Sequence, residues 1–542
     1  MTIRIDRRSF MLTGTLGLGA FALPGFAQVA NVLGGRGFTH AVASGEPAAD
    51  AMLFWTRYVP ADGGAAKLRV EVAESADFAR VVGGGELVTG PWRDHTAKIT
   101  VTGLKPFTRY HYRFVAPDGS FSPIGRAKTL PLGDTRAFKA AIFSCSNLGF
   151  GYFNAYAHAA PRDDIDLTIH LGDYVYEYAP DNYPAAAQVV GNRIPQPMKE
   201  MVALADYRLR YASYRADPDL QALHQNHAMV VQWDDHESAN DSWEGGAQNH
   251  QADEGDWATR RAAAVQAFRE WLPVSDEPWG SYAVGNLATL FRTETRLFGR
   301  SKPPELAPLF MAGGDPIAAL TAFRDGAWQD PSVTMMGSTQ EAWLDAAMAR
   351  SVRDQVRWQV VGFGTIMGQT RAPEEALGWI KADAPARVKA YVQGGVAASK
   401  LGLPSNLDNW GGYPAARARF LKSAQRHGGS TIVIAGDSHN AWAYDLAQDG
   451  KPAAVEFAGQ GVTSPGYESA IGIDPKRVAA ALVATNPELK WCDTSRRGYM
   501  ALSLTPDTAT NEWIFVDGVR QRSPAASVGH KATVRRGRNV MG

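Results

Sequence analysis

The chain has 542 residues, 45% of them hydrophobic and 20% charged, with 55 Lys+Arg against 55 Asp+Glu. At about 150 residues per domain that is enough globular protein for two or three domains, and the composition excludes disordered and collagen-like classes. The balanced charge lacks the basic excess of a general nucleic-acid or membrane-surface binder, and two cysteines, Cys145 and Cys492, exclude a disulfide-stapled scaffold.

Residues 1–30 read as an export signal. Arg7-Arg8 is followed at once by Ser9-Phe10 and then by an apolar, Gly/Ala-rich run from Met11 to about Ala27. That run is shorter than the roughly 20 apolar residues a membrane span needs. Its small-residue end suits peptidase cleavage, and a twin arginine ahead of it reads as a Tat signal. The expected partner is the Tat export machinery, and the expected location periplasmic or secreted, without a membrane anchor.

From 37 to 132 the pattern is short strands and turns. Leu68–Val72, Lys98–Val101 and Tyr110–Phe114 alternate, separated by breaks such as Pro60-Ala61-Asp62-Gly63-Gly64 and Pro117-Asp118-Gly119. This spacing predicts a small antiparallel β-sandwich, closed by a linker at Pro131–Asp134. Beyond it, strand-length runs at 138–143, 165–171, 229–233, 357–361 and 431–435 alternate with helical patterns, the clearest at Asp256–Leu272. That order predicts a layered α/β architecture over 136–520. The basic tail, 521–542, is poor in large apolar residues and reads as a solvated extension.

Four of those strands run straight into metal-capable side chains: Ser144-Cys145-Ser146-Asn147, Gly172-Asp173-Tyr174-Val175-Tyr176-Glu177, Asp234-Asp235-His236-Glu237-Ser238-Ala239-Asn240 and Gly436-Asp437-Ser438-His439-Asn440. Loops at equivalent strand ends of an α/β sheet converge on one rim, where ligands bind. Carboxylate oxygens, imidazole nitrogens and a thiolate together can hold di- or trivalent cations. Singly, each cluster has a plain structural reading: a turn after a strand, acidic residues at a helix N-terminus, or a buried small hydrophobe at Cys145. Four together point to chemistry.

These motifs, in this order, resemble the PhoD-like alkaline phosphatases, a branch of the calcineurin-like metallophosphoesterases. The resemblance extends to Val42-Ala43-Ser44-Gly45-Glu46-Pro47, Gly125–Pro131, Glu294-Thr295-Arg296, Trp410-Gly411-Gly412-Tyr413-Pro414 and Thr463-Ser464-Pro465-Gly466. It implies an αββα-type metallophosphoesterase domain behind an immunoglobulin- or fibronectin-III-like β-sandwich, with one Fe³⁺ and two Ca²⁺ ions as cofactors. Carried over by motif, Cys145, Asp173 and Tyr176 would hold iron; Asp173, Asn240 and Asp437 would serve calcium, with His439 as a ligand or just behind one. Tyr174 and Glu177 would support the loop. The wider superfamily has Asp-x-His, Gly-Asn-His and Gly-His-x-His where this chain has Ser144-Cys145-Ser146, Asp234-Asp235-His236 and Asp437-Ser438-His439. Exchanging nitrogen for sulfur or oxygen at the first and last of these favours Fe³⁺ and Ca²⁺ over a zinc or manganese pair.

The implied activity is release of phosphate from mono- or diesters by attack of a metal-bound hydroxide. His236 or His439 would protonate the leaving alkoxide, and Arg296 would hold phosphate or, alternatively, form a structural salt bridge. Two other readings remain at this point: a phospholipase D-type phosphodiesterase, and a non-catalytic exported binding or adhesion protein. The segment Ala179–Met201 is expected to overhang the site and help set substrate size. A disulfide between Cys145 and Cys492 competes with the thiolate-ligand role.

Overall fold

The computed structural model describes residues 34–542 except 181, 192, 307, 310–314 and 385. The expected export signal lies outside the described residues. Among them, no helix is long and apolar enough to cross a membrane.

Seven strands fill the N-terminal part: β1 (Gly37–Gly45), β2 (Ala51–Val59), β3 (Ala66–Ala73), β4 (Val81–Thr89), β5 (Thr96–Thr102), β6 (Arg109–Val115) and β7 (Gly125–Lys128). Three follow at the start of the larger part: β8 (Phe138–Phe143), β9 (Leu167–His170) and β10 (Ala228–Val231). Next come β11 (Gly280–Val284), β12 (Ala288–Arg292), β13 (Trp358–Phe363), β14 (Thr431–Ala435), β15 (Ala441–Gln448), β16 (Lys451–Ala458) and β17 (Leu489–Asp493). The chain ends in β18 (Gly498–Leu504), β19 (Thr508–Val516) and β20 (Ala526–Arg535).

They form three sheets. A nine-stranded sheet has the order β20-β19-β18-β8-β9-β10-β1-β2-β5, a seven-stranded one β11-β12-β13-β14-β16-β15-β17, and a four-stranded one β4-β3-β6-β7. Side chains alternate faces along a strand, and the core follows that alternation. Phe138, Ala140 and Ile142 of β8 meet Ile432 and Ile434 of β14 in the core between sheets. Ala141 and Phe143 instead pack outward under helices, among them Leu204–Arg215 and Trp257–Trp271. Val433 and Ala435 do the same on the other side, under Gly337–Arg353 and Pro414–His427. The result is the layered α/β class expected, helices on both outer faces of two sheets.

Two boundaries differ from the sequence reading. The N-terminal strands fall into two facing sheets, but β1, β2 and β5 also extend the central sheet: Ser44 pairs with Ala228 and Gly45 with Met229, β1 running parallel to β10. Gly45 permits the join, since a Cβ there would sit 2.7 Å from the Met229 carbonyl and 2.1 Å from that of Pro273. The tail, read as a solvated extension, contains β20, which pairs along β19 from Val516↔Ala526 to Thr508↔Arg535. It lacks large apolar residues because it is an outer edge strand, mostly exposed, and Lys531 on it pairs with Glu512 at 2.7 Å. A lysine on an edge strand blocks further strand addition.

Candidate metal centre

In the nine-stranded sheet β8, β9 and β10 are parallel neighbours, and in the facing sheet β12, β13 and β14 are. Their C-terminal ends share one rim. Immediately beyond them the chain turns through left-handed backbone at non-glycine residues: Cys145 (φ 58°), Asp173 (55°), Asp437 (63°) and His439 (59°). Each such residue costs of order 1–3 kcal/mol, and such strain gathers at functional sites.

The turns are tied to one another. The Cys145 and Ser146 amides donate to the carbonyls of Gly172 (3.1 Å) and Asp173 (2.9 Å). Buried Glu237 accepts from the amides of Asp173 (3.1 Å), Asp234 (2.7 Å) and Tyr174, binding the β9 and β10 turns together. Gly364, after β13, must be glycine, because a Cβ would lie 2.1 Å from Asp234 Oδ1.

Three donor groups result, each with its ligand atoms within 4.8 Å of one another: Cys145–Asp173–His439, Asp173–Asp235–His236 and Asp234–Asp235–Asp437. Tyr176 joins the first, its hydroxyl donating to Asp173 Oδ2 (3.0 Å), lying 3.2 Å from His439 Nε2 and accepting from Ser464 Oγ (2.7 Å). Asp173 and Asp235 each belong to two groups, so they are placed to bridge.

The electrostatics call for cations. Burial pushes Asp173 and Asp437 well above the usual carboxylate range, reinforced by surrounding carboxylates. Burial also lifts Asp234 to about 6, against the pull of Arg296, and raises the Cys145 thiol and Tyr176 phenol well above their ordinary values. Asp235 goes the other way: burial would raise it, but Arg296 and His236 hold it low. Asp173 Oδ1 and Asp235 Oδ1 are buried without a hydrogen-bond partner, although a buried polar atom normally has one. This donor set is short of positive charge, and bound cations fit it.

The two histidines differ. His236 Nδ1 lies 2.7 Å from Glu177 Oε2. Burial alone would lower its imidazole, but Asp235, Glu177 and Asp173 raise it well above its ordinary value. His439 Nδ1 faces the Pro465 carbonyl at 2.9 Å, and burial holds that imidazole down to about 3. A carboxylate and a carbonyl only accept, so Nδ1 of each ring carries a proton, and the raised His236 carries a second on Nε2. Both line a cavity of about 500 Å³, with Tyr178, Asn182 and Tyr183 on one wall and Asn240 and Asp241 on another. Asn182 and Tyr183 come from the 179–201 segment.

Cys145, Asp173, Tyr176, Asp437 and His439 thus meet at one centre. Asn240 reaches the same cavity, but its amide nitrogen donates to Gln248 Oε1 (3.0 Å) and its backbone amide to Glu177 Oε1 (2.8 Å). Arg296 does not reach the cavity wall. It is wholly buried, with its guanidinium spent on Asp234 and Asp408, so the phosphate-holding role gives way to the salt bridge. Sequence reasoning named Asp234 and Asp235 in the third strand-end cluster but gave neither a ligand role, and the structure places both in donor groups. It also undervalued Glu177. Cys145 and Cys492 are both free and buried, so no disulfide joins them.

The family model described as PhoD-like phosphatase matches residues 140–513, and that of the PhoD-like phosphatase N-terminal domain matches residues 26–131. Alkaline phosphatase D of Bacillus subtilis (strain 168) is 30% identical over 559 residues, covering 98% of this chain and 85% of that protein. A solved structure of PhoD superposes with a TM-score of 0.76 at 26% identity, covering 94% of this chain and 92% of the other. A purple acid phosphatase from yellow lupin (Lupinus luteus) seeds shares the fold alone, with a TM-score of 0.56 at 14% identity over 92% of this chain and 75% of that one. The non-catalytic reading falls. The chain belongs to the PhoD-like phosphatase family and is a phosphoric ester hydrolase.

Proposed function

We propose that this hydrolase is an exported, metal-dependent phosphoesterase acting on phosphate mono- or diesters, and that the rim of β8, β9, β10 and β14 is its active site. The observation that carries this is the convergence of three overlapping donor groups on a cavity of about 500 Å³. Cys145, Tyr176, Asp173 and His439 would hold Fe³⁺, because thiolate and phenolate suit a ferric ion. Asp173, Asp234, Asp235, Asp437 and Asn240 would hold two Ca²⁺, which takes oxygen ligands. Such ions, when bound, polarise phosphoryl oxygens and activate water at neutral pH.

The protein's own groups do the rest. His236 Nδ1 is paired with the Glu177 carboxylate, which stabilises an imidazolium; His439 Nδ1 is paired with a carbonyl, and its Nε2 lies against Tyr176 in the first donor group. We therefore assign proton delivery to the leaving alkoxide to His236 Nε2, and a ligand role to His439. Tyr178, Asn182 and Tyr183 would bound the leaving group, and the 179–201 segment would limit its size. Export rests on Arg7-Arg8-Ser9-Phe10 and the apolar run behind it.

The test is hydrolysis of a p-nitrophenyl phosphomonoester, its diester and a phosphatidylcholine by purified protein. Activity abolished by chelator and restored by Ca²⁺ supports the reading. Full activity after exhaustive metal removal overturns it.

A further inference from the structure

Arg296 sits among the anionic side chains of the site with no exposed surface. Its Nε and Nη2 bind Asp234 in a two-pronged pair, at 2.6 Å to Oδ1 and 2.9 Å to Oδ2. The same Nη2 lies 3.7 Å from Asp235 Oδ1 and 3.9 Å from Asp437 Oδ1. All three carboxylates of one donor group therefore face a single fixed guanidinium, and Asp235 Oδ1 is one of the atoms without a hydrogen-bond partner.

The guanidinium is itself held from behind. Nη1 donates to Asp408 Oδ2 at 2.6 Å, and Asp408 Oδ1 lies 2.6 Å from Nη2 of Arg300. Arg300 is anchored in turn, Nε donating to the Tyr413 hydroxyl at 3.0 Å. Glu294 fixes the turn that presents Arg296, accepting from the amides of Arg296 (2.7 Å), Leu297 (2.5 Å) and Phe298 (2.8 Å) and from Trp233 Nε1 (2.8 Å). A planar, always-charged fork held at both ends is an immobile positive charge.

We propose that Arg296 is a built-in counter-cation of the metal centre, positioned by Asp408 and Arg300, and that it limits how tightly calcium is held by Asp234, Asp235 and Asp437. This rests on the calcium reading given above. A cation entering that group shares its three carboxylates with a charge already present. At separations of a few ångströms, in a site screened less than water, one unit charge shifts a divalent ion's affinity by about tenfold or more. Arg296 is thus a positioning residue whose effect has a sign. Removing its charge tightens calcium binding, and removing the Asp408 charge weakens it.

That sign is the test. Calcium affinity is measured by titration calorimetry on chelator-stripped full-length protein at pH 8, with circular dichroism to establish folding. Arg296→Gln is expected to bind Ca²⁺ about tenfold or more tighter than the parent protein, Asp408→Asn to bind it severalfold more weakly. Arg296→Lys, which keeps the charge, is expected to stay within about threefold. A residue that merely braces the fold would weaken binding, or leave it unchanged, in every variant. Equal or weaker binding by folded Arg296→Gln, or tighter binding by Asp408→Asn, overturns the proposal. If Arg296→Gln does not fold, Arg300→Gln takes its place: it removes a positive charge and leaves Asp408 uncompensated beside Arg296, so tighter Ca²⁺ binding is expected, and equal or weaker binding overturns the proposal. Absence of calcium binding by the parent protein would instead sink the calcium reading, and this inference with it.

Discussion

Glu177→Gln isolates the assignment of His236 as proton donor. Glu177 is fully buried and accepts three hydrogen bonds, from His236 Nδ1 (2.7 Å), the Asn240 amide (2.8 Å) and Asn249 Nδ2 (2.9 Å). Glutamine keeps the volume but has one acceptor oxygen and an NH₂. If the oxygen stays on Asn240 and Asn249, the NH₂ faces His236 Nδ1, so that nitrogen must give up its proton and the imidazolium loses its partner. A hydrogen bond to a charged group contributes about 1.5–3 kcal/mol; at about 1.4 kcal/mol per tenfold, the proton-transfer step slows by roughly 10- to 150-fold. The loss depends on the leaving group. An alkyl phosphoester, whose alkoxide must be protonated, should lose about 10- to 150-fold in kcat/KM; a p-nitrophenyl ester, whose phenolate leaves unaided, should lose less than about threefold. Metal content by mass spectrometry should be unchanged. Equal losses on both esters would refute the assignment and reduce Glu177 to a brace for Asn240.

Further outcomes follow from the same geometry. Asp173→Asn keeps the volume but removes the charge shared by two donor groups, so metal content and turnover should fall together while circular dichroism is unchanged; full activity with full metal loading would rule out bridging. A ferric ion bound by Cys145 and Tyr176 should colour the protein, and Cys145→Ser should weaken and shift that visible band and remove most activity. Cys492, buried on β17 against the Ala479 carbonyl, should be replaceable by Ser with colour and activity kept; an unchanged spectrum in Cys145→Ser would rule the iron site out. In the metal-free protein Asp234 is raised by burial from 3.8 to about 6, and Asp173 and Asp437 are also raised. A raised folded-state value means that the folded protein binds the extra protons. The stability Asp234 contributes is therefore present below about pH 4 and lost as pH rises through about 6, and that of Asp173 and Asp437 is likewise lost as pH rises through their own raised values. Calcium needs the ionised carboxylates, so the Tm increment it gives should be larger at pH 8 than at pH 5; an equal or smaller increment would refute this.

Much of the framework was legible in the sequence because alternation reports directly on burial. The runs at 138–143 and 431–435 coincide with β8 and β14, and the helix expected at Asp256–Leu272 spans Trp257–Trp271, begun by the Asp256 side chain accepting from the Thr259 amide at 2.9 Å. Alternation does not say which strand lies beside which. Ser44 and Ala228 pair across most of the N-terminal half of the chain, and nothing near either residue marks the partner. β20 was missed for the opposite reason: its inward face is His530, Ala532 and Val534, too small and polar a set to read as apolar alternation. At the site, residues at strand ends announced themselves by type and place. Asp235 was masked by its neighbour His236, and Arg296 gave no sign of which carboxylates it would meet, since Asp408 is 112 residues away. A buried guanidinium's partners are set by tertiary packing, which local pattern does not carry.

Backbone strain and buried charge coincide at the centre, and that coincidence says more than either does alone. Four of the residues that bring donor atoms to the centre hold left-handed backbone that costs of order 1–3 kcal/mol each. The same turns bury carboxylates, a thiol and a phenol that burial drives toward their neutral forms. A fold can tolerate strain or buried charge separately by relaxing one of them. Here relaxation is blocked: Glu237 ties the β9 and β10 turns together, Gly364 packs against Asp234, and Asp408 and Arg300 lock Arg296. A bound cation would offset the charge with the turns as they stand, so the centre is built to be completed rather than rearranged.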